Sequence, residues 1–568
     1  MTKNNLNNTK FDAIVIGSGI SGGWAAKELC ENGLKTLVLE RGRMVEHIKD
    51  YPTAEKEVWD FEFRNKPDTK NLAKQQKQNR TGYATNEESR HWFVDDLKHP
   101  YNEVKRFDWI RGYHVGGRSI TWGRQALRLS NLEFTSNKRE GIGIDWPIRY
   151  KDIDPWYTKV EKYIGVSGEN LNMKHFPDQH LSPPFDLNCA EKELKKQLEI
   201  KYKDRRLTIG RFAHITGDKV HEGRSKCLYR NKCIRGCTLG GYFSSNSSTL
   251  PSAERTGNLT LKPDSIVTEI IYDPETQKAS GVKVIDAINK KVTVYNAKVI
   301  FLCASTVAST SLLMQSKSER FPNGMGNDSG QLGHNLMDHH FKVGARAIVN
   351  GFENKTSNGS RPGSFHIPRF RNLGNVESKQ NYKGGYSFQG SARRLDWRRA
   401  LNNFSFGNKL KEEMTKPGPW KIEMTGYGEH LPYYENKITL DYKNKDEWGL
   451  PTVTFDCEFK ENEKLMREDI KKEAVKMFKE AGFYNVEGFD EPSFPGNAIH
   501  EMGTARMGND PKKSVLNKYN QIHAVKNVYV TDGSCMVSSG SQNPSLTYMA
   551  LSARAANHAA KQIKEGKL

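Results

Sequence analysis

The sequence lacks the segments that would direct a protein into or across a membrane. No run of about 18 apolar residues occurs, so we expect no transmembrane helix. Residues 1–10 are polar and rich in asparagine, with no apolar stretch, twin arginine or cleavage site, so we expect no secretory signal. The default expectation is a cytoplasmic protein, although a protein that is exported while bound to a signal-bearing partner would have the same features.

The chain also lacks the surface pattern of a nucleic-acid-binding protein. Its formal net charge is +20, yet no block of lysine and arginine with interleaved aromatic residues is present. A solvated, lysine-rich surface accounts for this charge. The 10 tryptophan, 25 phenylalanine and 22 tyrosine residues favour a packed globular protein over a disordered one. At 568 residues the chain is long enough for two or more folding units.

Cysteine is scarce, which makes one cluster of it conspicuous. Five of the eight cysteines are scattered, as buried single thiols usually are: Cys30, Cys189, Cys303, Cys457 and Cys535. The other three, Cys227, Cys233 and Cys237, have the spacing C-x5-C-x3-C. Three thiolates suit a [3Fe–4S] cluster better than a zinc ion, which prefers four ligands. Plain reduced thiols, a structural zinc with His221 as the fourth ligand, and a remnant motif without metal are the alternatives.

Residues 11–42 have the pattern strand, glycine-rich turn, helix and second strand. The turn contains Gly17, Gly19 and Gly22 in GxGxxG spacing, and the second strand ends at Glu40. The first glycine allows the sharp turn, the second lets the backbone approach a pyrophosphate, and the third lets helix and strand pack closely. Glu40 can accept hydrogen bonds from ribose hydroxyls. The stretch therefore predicts a dinucleotide site, for NAD or FAD.

The rest of the chain divides by pattern into three regions. Residues 11–334 are predicted to form most of the dinucleotide-binding domain, with a polar excursion at about 50–105. Residues 335–493 mix strands and loops with an amphipathic helix and are expected to form a second, substrate-facing domain. Residues 494–568 are expected to return to the first domain.

The C-terminal region contains two residues suited to alcohol chemistry. His500 titrates near neutrality and can accept a hydroxyl proton. Asn543 can donate a hydrogen bond to an alcohol oxygen. Asn543 and Pro544 also open a helix, whose N-terminus stabilises negative charge. A satisfied loop histidine and a simple N-cap asparagine are the alternative interpretations.

These motifs together resemble the glucose–methanol–choline (GMC) oxidoreductases along nearly the whole chain. The matching pieces are Gly17–Gly22 with Glu40, Val115–Ser119, Gly333–His339, Glu429–Pro432 with Asn436, and the motifs around His500, Asp532 and Asn543. The resemblance implies an α/β fold, with a Rossmann-like FAD-binding domain and a second α+β domain built on an antiparallel sheet. It also implies FAD rather than NAD, with His500 as the base and Asn543 as its partner while hydride passes to flavin N5. The residues expected to contact FAD are Gly17, Gly19, Gly22, Glu40, Gly116, Gly117, Ser119, Val267, Asp532, Gly533, Asn543 and Pro544.

Two details refine what the resemblance implies. Some sugar oxidases of this family attach FAD through a histidine after the paired glycines, but this chain has Ser119-Ile120-Thr121-Trp122 there, so we expect non-covalent FAD. The cysteine spacing is similar to that of the sugar and polyol dehydrogenases, in which a [3Fe–4S] cluster relays electrons to an external haem. The resemblance thus implies a sugar or polyol substrate, a small signal-bearing subunit and a cytochrome c acceptor. An oxidase that reduces oxygen to hydrogen peroxide is the alternative.

Overall fold

The computed structural model describes residues 10–82, 86–218, 221–356, 359–397, 399 and 405–568. Residues 1–9, which carry most of the polar N-terminal segment, lie outside these ranges, and so does the prediction made from them. Within the described ranges, no helix combines the length and the apolar character needed to cross a membrane.

The described elements are as follows. The strands are β1 (Lys10–Ile16), β2 (Thr36–Leu39), β3 (Asn102–Glu103), β4 (Thr208–Ile209), β5 (Leu259–Lys262), β6 (Ser265–Asp273), β7 (Lys278–Asp286), β8 (Val292–Leu302), β9 (Val343–Val349), β10 (Phe365–Ile367), β11 (Tyr386–Arg394), β12 (Trp420–Gly428), β13 (Lys437–Lys445), β14 (Pro451–Asp456), β15 (Tyr484–Asp490) and β16 (Val528–Val530). The α-helices are α1 (Ile20–Glu31), α2 (Thr69–Lys74), α3 (Gln76–Asn79), α4 (Asn131–Glu140), α5 (Tyr150–Ile164), α6 (Cys189–Lys201), α7 (Thr249–Arg255), α8 (Thr306–Gln315), α9 (Gly407–Thr415), α10 (Glu461–Glu480) and α11 (Ser545–Lys564).

The first sheet carries the predicted dinucleotide-binding pattern. Its strand order is β5–β2–β1–β8–β7–β6, and β16 also pairs with β8. Strands β5, β2, β1, β8 and β16 run parallel, whereas β7 pairs antiparallel with both β8 and β6. Residues 13–16 of β1 and 37–39 of β2 are continuous apolar runs because a parallel sheet is buried on both faces. Every residue of β2 is buried.

Strand β8 continues through residues 295–298, although Asn296 and Lys298 interrupt its apolar pattern there. Its first half pairs with β7, and its second half lies between β1 and β16. Hydrogen bonds to neighbours on both sides therefore keep the backbone extended where the side-chain pattern alone suggests a break.

The second sheet is antiparallel throughout, in the order β15–β9–β12–β11–β10–β4. Helix α10 covers one face of it with the predicted apolar stripe, which includes Met466, Ile470 and Phe478, all fully buried. Strand β4 comes from upstream of residue 335, so this sheet recruits a strand from the first region. The fold class predicted from the sequence, α/β with a second unit built on an antiparallel sheet, is confirmed.

A third, small sheet ties the predicted excursion to the rest of the fold. Strand β13, which the sequence analysis assigned to the second domain, pairs with β14, and β14 pairs with β3. Strand β3 lies in the excursion, and Tyr51 and Trp92 from the same segment are buried. The excursion is therefore a packed part of the fold.

Helix α11 packs against α1 and α5 beside the first sheet. Its alanines Ala555, Ala556, Ala559 and Ala560 are buried in one core cluster with β1 and α1. Because alanine has the smallest apolar side chain, the two helices approach closely, and this fixes the position of the start of α11. Asn543 and Pro544 lie at that start.

The close packing of α1 on the glycine turn can be tested by a substitution at Gly22. A Cβ atom at Gly22 would lie 1.8 Å from the backbone oxygen of Gly17. Gly22→Ala should therefore destabilise the fold by at least the cost of overpacking, about 3 kcal/mol, or prevent folding. The unfolding temperature, read by circular dichroism, measures this.

The matched control is Gly217→Ala, because no atom lies within 4 Å of a Cβ built there. This variant should unfold close to the wild-type temperature. Equal unfolding temperatures for the two variants would contradict the packing argument.

Candidate active site

The glycine turn and the two predicted catalytic residues line the same cavity. Its volume is about 590 Å³. The predicted residues that line it are Gly17, Gly19, Glu40, Gly117, Ser119, Val267, His500, Asp532, Gly533 and Asn543. Gly22, Gly116 and Pro544 do not line it. These residues come from the first and third sequence regions, and Phe341, Gln389 and Tyr427 of the second region line the same cavity.

The glycine turn presents backbone to this cavity. Gly17 has a φ of 94°, in the left-handed region, and a Cβ there would lie 2.6 Å from the oxygen of Cys303. Helix α1 begins at Ile20 directly after Gly19, and no side chain caps its N-terminus. The first backbone N–H groups of α1 and the positive end of its dipole are thus available to an anion such as a pyrophosphate.

Glu40 is held rigidly at the end of β2. Its carboxylate accepts hydrogen bonds from the Ser18 backbone N–H at 3.1 Å, the Ser18 hydroxyl at 2.5 Å and the Gly42 N–H at 3.0 Å. Burial raises the pKa of Glu40, and these donors oppose that rise. Ser18 also accepts from the Gly116 N–H at 2.9 Å, so one hydroxyl joins the turn, β2 and the loop at residue 116. The sequence analysis gave Ser18 no role.

In the loop at residues 116–119, Gly116 has a packing role, whereas Gly117 and Ser119 line the cavity. Gly116 has a φ of 84°, and a Cβ there would lie 1.6 Å from Oδ1 of Asn246, so its role is packing. Gly117 and Ser119 face the cavity. The hydroxyl of Ser119 donates to the Gly116 oxygen at 2.5 Å and accepts from the Ser245 N–H at 3.0 Å.

The remaining predicted cofactor contacts come from β6 and the segment after β16. Val267 on β6 lines the cavity. The Asp532 carboxylate accepts hydrogen bonds from the hydroxyls of Ser309 at 2.5 Å and Ser534 at 2.6 Å, and burial raises its pKa. Asp532 is therefore engaged by the protein through its side chain, which leaves the backbone of this segment to contact a ligand.

His500 and Asn543 meet at one end of the cavity. Nδ2 of Asn543 lies 3.3 Å from Nε2 of His500. Pro544 occupies the N-cap position of α11, so the simple N-cap role considered for Asn543 does not apply. Its oxygen, Oδ1, instead accepts a hydrogen bond of 2.7 Å from Nε2 of Gln389 on β11.

A second histidine, His339, fixes the proton positions on His500. Nε2 of His339 lies 2.7 Å from the backbone oxygen of Gly540, which can only accept, so this nitrogen carries the proton. Nδ1 of His339 lies 2.9 Å from Nδ1 of His500. Burial lowers the pKa of His339 to about 4, so His339 is neutral at neutral pH and its Nδ1 accepts. His500 must therefore carry its proton on Nδ1, which leaves a lone pair on Nε2.

The surroundings keep His500 neutral. Burial lowers the pKa of His500 well below its ordinary value, and the nearby His339 and Arg118 lower it further. Arg118 forms a partly buried ion pair with Glu501 at 3.0 Å. The imidazole is thus ready to accept a proton at neutral pH.

Asp338 holds the loop that carries His500. Its carboxylate accepts from the backbone N–H groups of Gly496 at 2.7 Å, Ala498 at 3.1 Å and His500 at 3.0 Å. Ile499, between two of these, has a φ of 63°, a conformation that costs energy for a β-branched residue. Burial raises the pKa of Asp338 to about 7. The strained backbone and its carboxylate anchor both place the imidazole of His500.

The three clustered cysteines line a separate, smaller cavity of about 30 Å³. His214 lines it too, and neither of its ring nitrogens has a partner among the described residues. The proposed fourth zinc ligand, His221, lies elsewhere, with Nε2 at 2.6 Å from the Tyr163 oxygen. In the described ranges, no three histidine, cysteine, aspartate or glutamate side chains converge on a point where one metal ion could bind. The zinc alternative therefore has no support in the structure.

The chain is similar in sequence and in fold to known proteins. Two family models with the description GMC oxidoreductase match residues 210–341 and 432–552. The fructose dehydrogenase large subunit of Gluconobacter japonicus is 24% identical, over 98% of this chain and 98% of its own. The 2-methyl-1,2-propanediol dehydrogenase of Mycolicibacterium austroafricanum is 26% identical, over 98% of this chain and 96% of its own. A formate oxidase from Aspergillus oryzae has the same fold, with a TM-score of 0.61 and 15% identity over 98% of this chain and 99% of that one.

Replacing His339 tests the hydrogen-bonded histidine pair. His339→Leu removes the acceptor for the Nδ1 proton of His500, so the proton is free to move to Nε2 and block the base. If His500 is the base that the sequence predicts, the maximal rate of flavin reduction by an alcohol should fall on the order of 100-fold, with KM little changed. Stopped-flow absorbance of the flavin measures this.

The control is His334→Leu, in the same sequence motif but outside the cavity, where the ring stacks on Tyr434. Both variants should keep the wild-type flavin content. A rate for His339→Leu within threefold of that of His334→Leu would show that the tautomer does not depend on His339.

Proposed function

Because this chain belongs to the GMC oxidoreductase family, we propose that it oxidises a hydroxyl group of a sugar or polyol with non-covalent FAD as the hydride acceptor. The observation that carries the proposal is the unprotonated Nε2 of His500. It lies beside the donor amide of Asn543, in a cavity that the glycine turn also lines.

The chain's own residues fit FAD in chemical type and placement. The open N-terminus of α1 suits the pyrophosphate, and the carboxylate of Glu40 suits a ribose hydroxyl. Gly117 and Ser119 also line the cavity. When bound, FAD would supply a flavin ring that accepts the hydride released from the substrate carbon. No histidine follows Ser119 in the loop, which supports a non-covalent attachment.

His500 and Asn543 have different roles toward the substrate hydroxyl. Nε2 of His500 accepts the hydroxyl proton, and the Nδ2 amide group of Asn543 donates a hydrogen bond to the same oxygen and holds it in place. The burial that keeps His500 unprotonated also excludes water from the reacting group. The proton received at Nε2 makes an imidazolium. The negative charge that develops on the substrate oxygen next to it stabilises this imidazolium until the hydride leaves the carbon.

The substrate class rests on the relatives and on the cavity wall. The two relatives described above are named for fructose and for a diol, compounds with several hydroxyl groups. The aromatic rings of Phe212, Phe341 and Tyr427 line the same cavity as His500. Apolar rings next to polar groups suit a sugar, which has C–H faces and hydroxyl edges.

We further propose that Cys227, Cys233 and Cys237 hold a [3Fe–4S] cluster that passes electrons to an acceptor other than oxygen. A cluster binds each thiolate to a different iron, so its ligands need not converge on one point as for a single ion. A buried polar side chain without a partner supports an occupant of the small cavity: His214 lines it, and neither ring nitrogen of His214 has a partner in the described part of the chain. Such a cluster would accept single electrons and release them to a partner.

An anaerobic substrate screen tests the proposed reaction. A panel containing D-glucose, D-fructose, D-gluconate, glycerol and 1,2-propanediol should include at least one compound that bleaches the flavin absorbance without oxygen. His500→Ala should slow this bleaching by a factor on the order of 10² to 10⁴. Bleaching by no member, or equal rates in wild type and His500→Ala, would refute the proposal.

Metal analysis of the same anaerobic preparation tests the electron relay. About three iron atoms and four acid-labile sulfides per chain are expected, lost in Cys233→Ser and retained in Cys189→Ser. Iron-free protein that consumes oxygen during turnover would instead support the oxidase alternative.

A further inference from the structure

Beyond His500 and Asn543, three polar side chains continue the hydrogen-bonded chain along the cavity wall. Nε2 of Gln389 donates to Oδ1 of Asn543 at 2.7 Å. Nε2 of Gln125 donates to Oε1 of Gln389 at 2.9 Å and to the hydroxyl of Ser364 at 3.1 Å. All of these residues line the cavity. We call Asn543, Gln389, Gln125 and Ser364 the amide row.

The direction of every hydrogen bond in the amide row follows from one backbone oxygen. The Gly540 oxygen makes Nε2 of His339 a donor, and this leaves Nε2 of His500 as an acceptor. Asn543 must therefore turn its NH₂ group toward His500 and its oxygen toward Gln389. Gln389 must then donate from its NH₂ group, and its own oxygen must accept from Gln125.

Each amide of the row keeps hydrogen-bonding capacity that the protein does not use. An NH₂ group has two protons and a carbonyl oxygen two lone pairs, so Gln389 keeps one donor and one acceptor site after its two bonds. Oε1 of Gln125 has no partner among the described residues, although this side chain is 5% exposed. A row of preoriented, partly unsatisfied amides next to the reacting atoms is what recognition of a second hydroxyl group requires.

We propose that Gln389, held by Gln125, is a specificity-determining and positioning residue: it orients Asn543 toward His500 and binds a hydroxyl group on the carbon next to the one oxidised. The inference rests on the proposed function and names its substrate class more closely, as compounds with neighbouring hydroxyl groups. An alcohol with a single hydroxyl leaves the free donor of Gln389 without a partner, and a site built to bind a hydroxyl discriminates strongly against an analogue that lacks it.

The first test compares 1,2-propanediol with 1-propanol in the holoenzyme, by the rate of anaerobic flavin bleaching. Wild type should prefer the diol on the order of 100-fold in kcat/KM. Gln389→Met keeps the size of the side chain but removes its hydrogen bonds. It should lower kcat/KM for 1-propanol, because Asn543 is no longer oriented, and should lower kcat/KM for the diol further, so that the ratio of the two substrates comes close to one. Gln197→Met, on α6 and outside the cavity, should keep the wild-type ratio.

The second test reads the orientation of Asn543 through a pH profile. Gln389→Glu presents a carboxylate to Oδ1 of Asn543, so the amide must turn its NH₂ group to the new acid and its oxygen to His500. An acceptor facing Nε2 favours the protonated imidazole and raises the pKa of His500. The wild-type rate should be constant through neutral pH, whereas the rate of Gln389→Glu should fall as the pH decreases through the raised pKa.

The other titratable groups around His500 are unchanged in this variant. They are His339, Asp338 and the Arg118–Glu501 ion pair. Repeating the profile in the double variant His339→Leu with Gln389→Glu separates the contribution of His339, because the shift caused by the glutamate should persist without it.

The outcomes separate this inference from the proposed function. If no compound of the screening panel bleaches the wild-type flavin, the proposed reaction is wrong and the inference fails with it. If wild type is active but Gln389→Met keeps the preference for the diol, or Gln389→Glu keeps the wild-type pH profile, the inference alone is overturned.

Discussion

The hydrogen bond from Nε2 of His339 to the Gly540 oxygen sets the chemistry of the whole site. A carbonyl oxygen cannot donate, so the proton on His339 is fixed, and with it the tautomer of His500 and the orientation of Asn543. Reversing any one bond would leave two donors or two acceptors facing each other in a partly buried place, at a cost of about 1–3 kcal/mol. The base is therefore prepared before any substrate arrives.

The fold makes this arrangement by bringing distant segments together. The first sheet and α1 supply the dinucleotide end of the cavity, α11 positions Asn543, and the antiparallel sheet supplies Gln389. The carboxylate of Asp338 anchors the His500 loop from a third direction. A strand carries Gln389, a helix begins beside Asn543, and the carboxylate of Asp338 holds the loop of His500, so the three groups keep fixed relative positions, which suits a reaction sensitive to small displacements.

Local motifs allowed much of this to be predicted from the sequence. The glycine turn, Glu40, His500 and Asn543 were identified because each sits in a short pattern with its own physical reason, and the structure gathers them around one cavity. His339 and Gln389 could not be found in this way, since they lie 161 and 154 residues from the side chains that they contact. Long-range pairing likewise explains why β8 is one strand and why β13 joins a separate sheet. The assignments of individual cofactor contacts and of the domain boundaries remain predictions.

The account's central claim is that His500 is a neutral imidazole with its proton on Nδ1. Nitrogen NMR of the holoenzyme labelled with ¹⁵N-histidine measures this directly, with the His500 signals assigned by their loss in His500→Gln. The account predicts an Nδ1-protonated, neutral ring at pH 7 that stays neutral well below the ordinary histidine pKa of about 6.5. An Nε2-protonated ring, or an imidazolium at neutral pH, would contradict it.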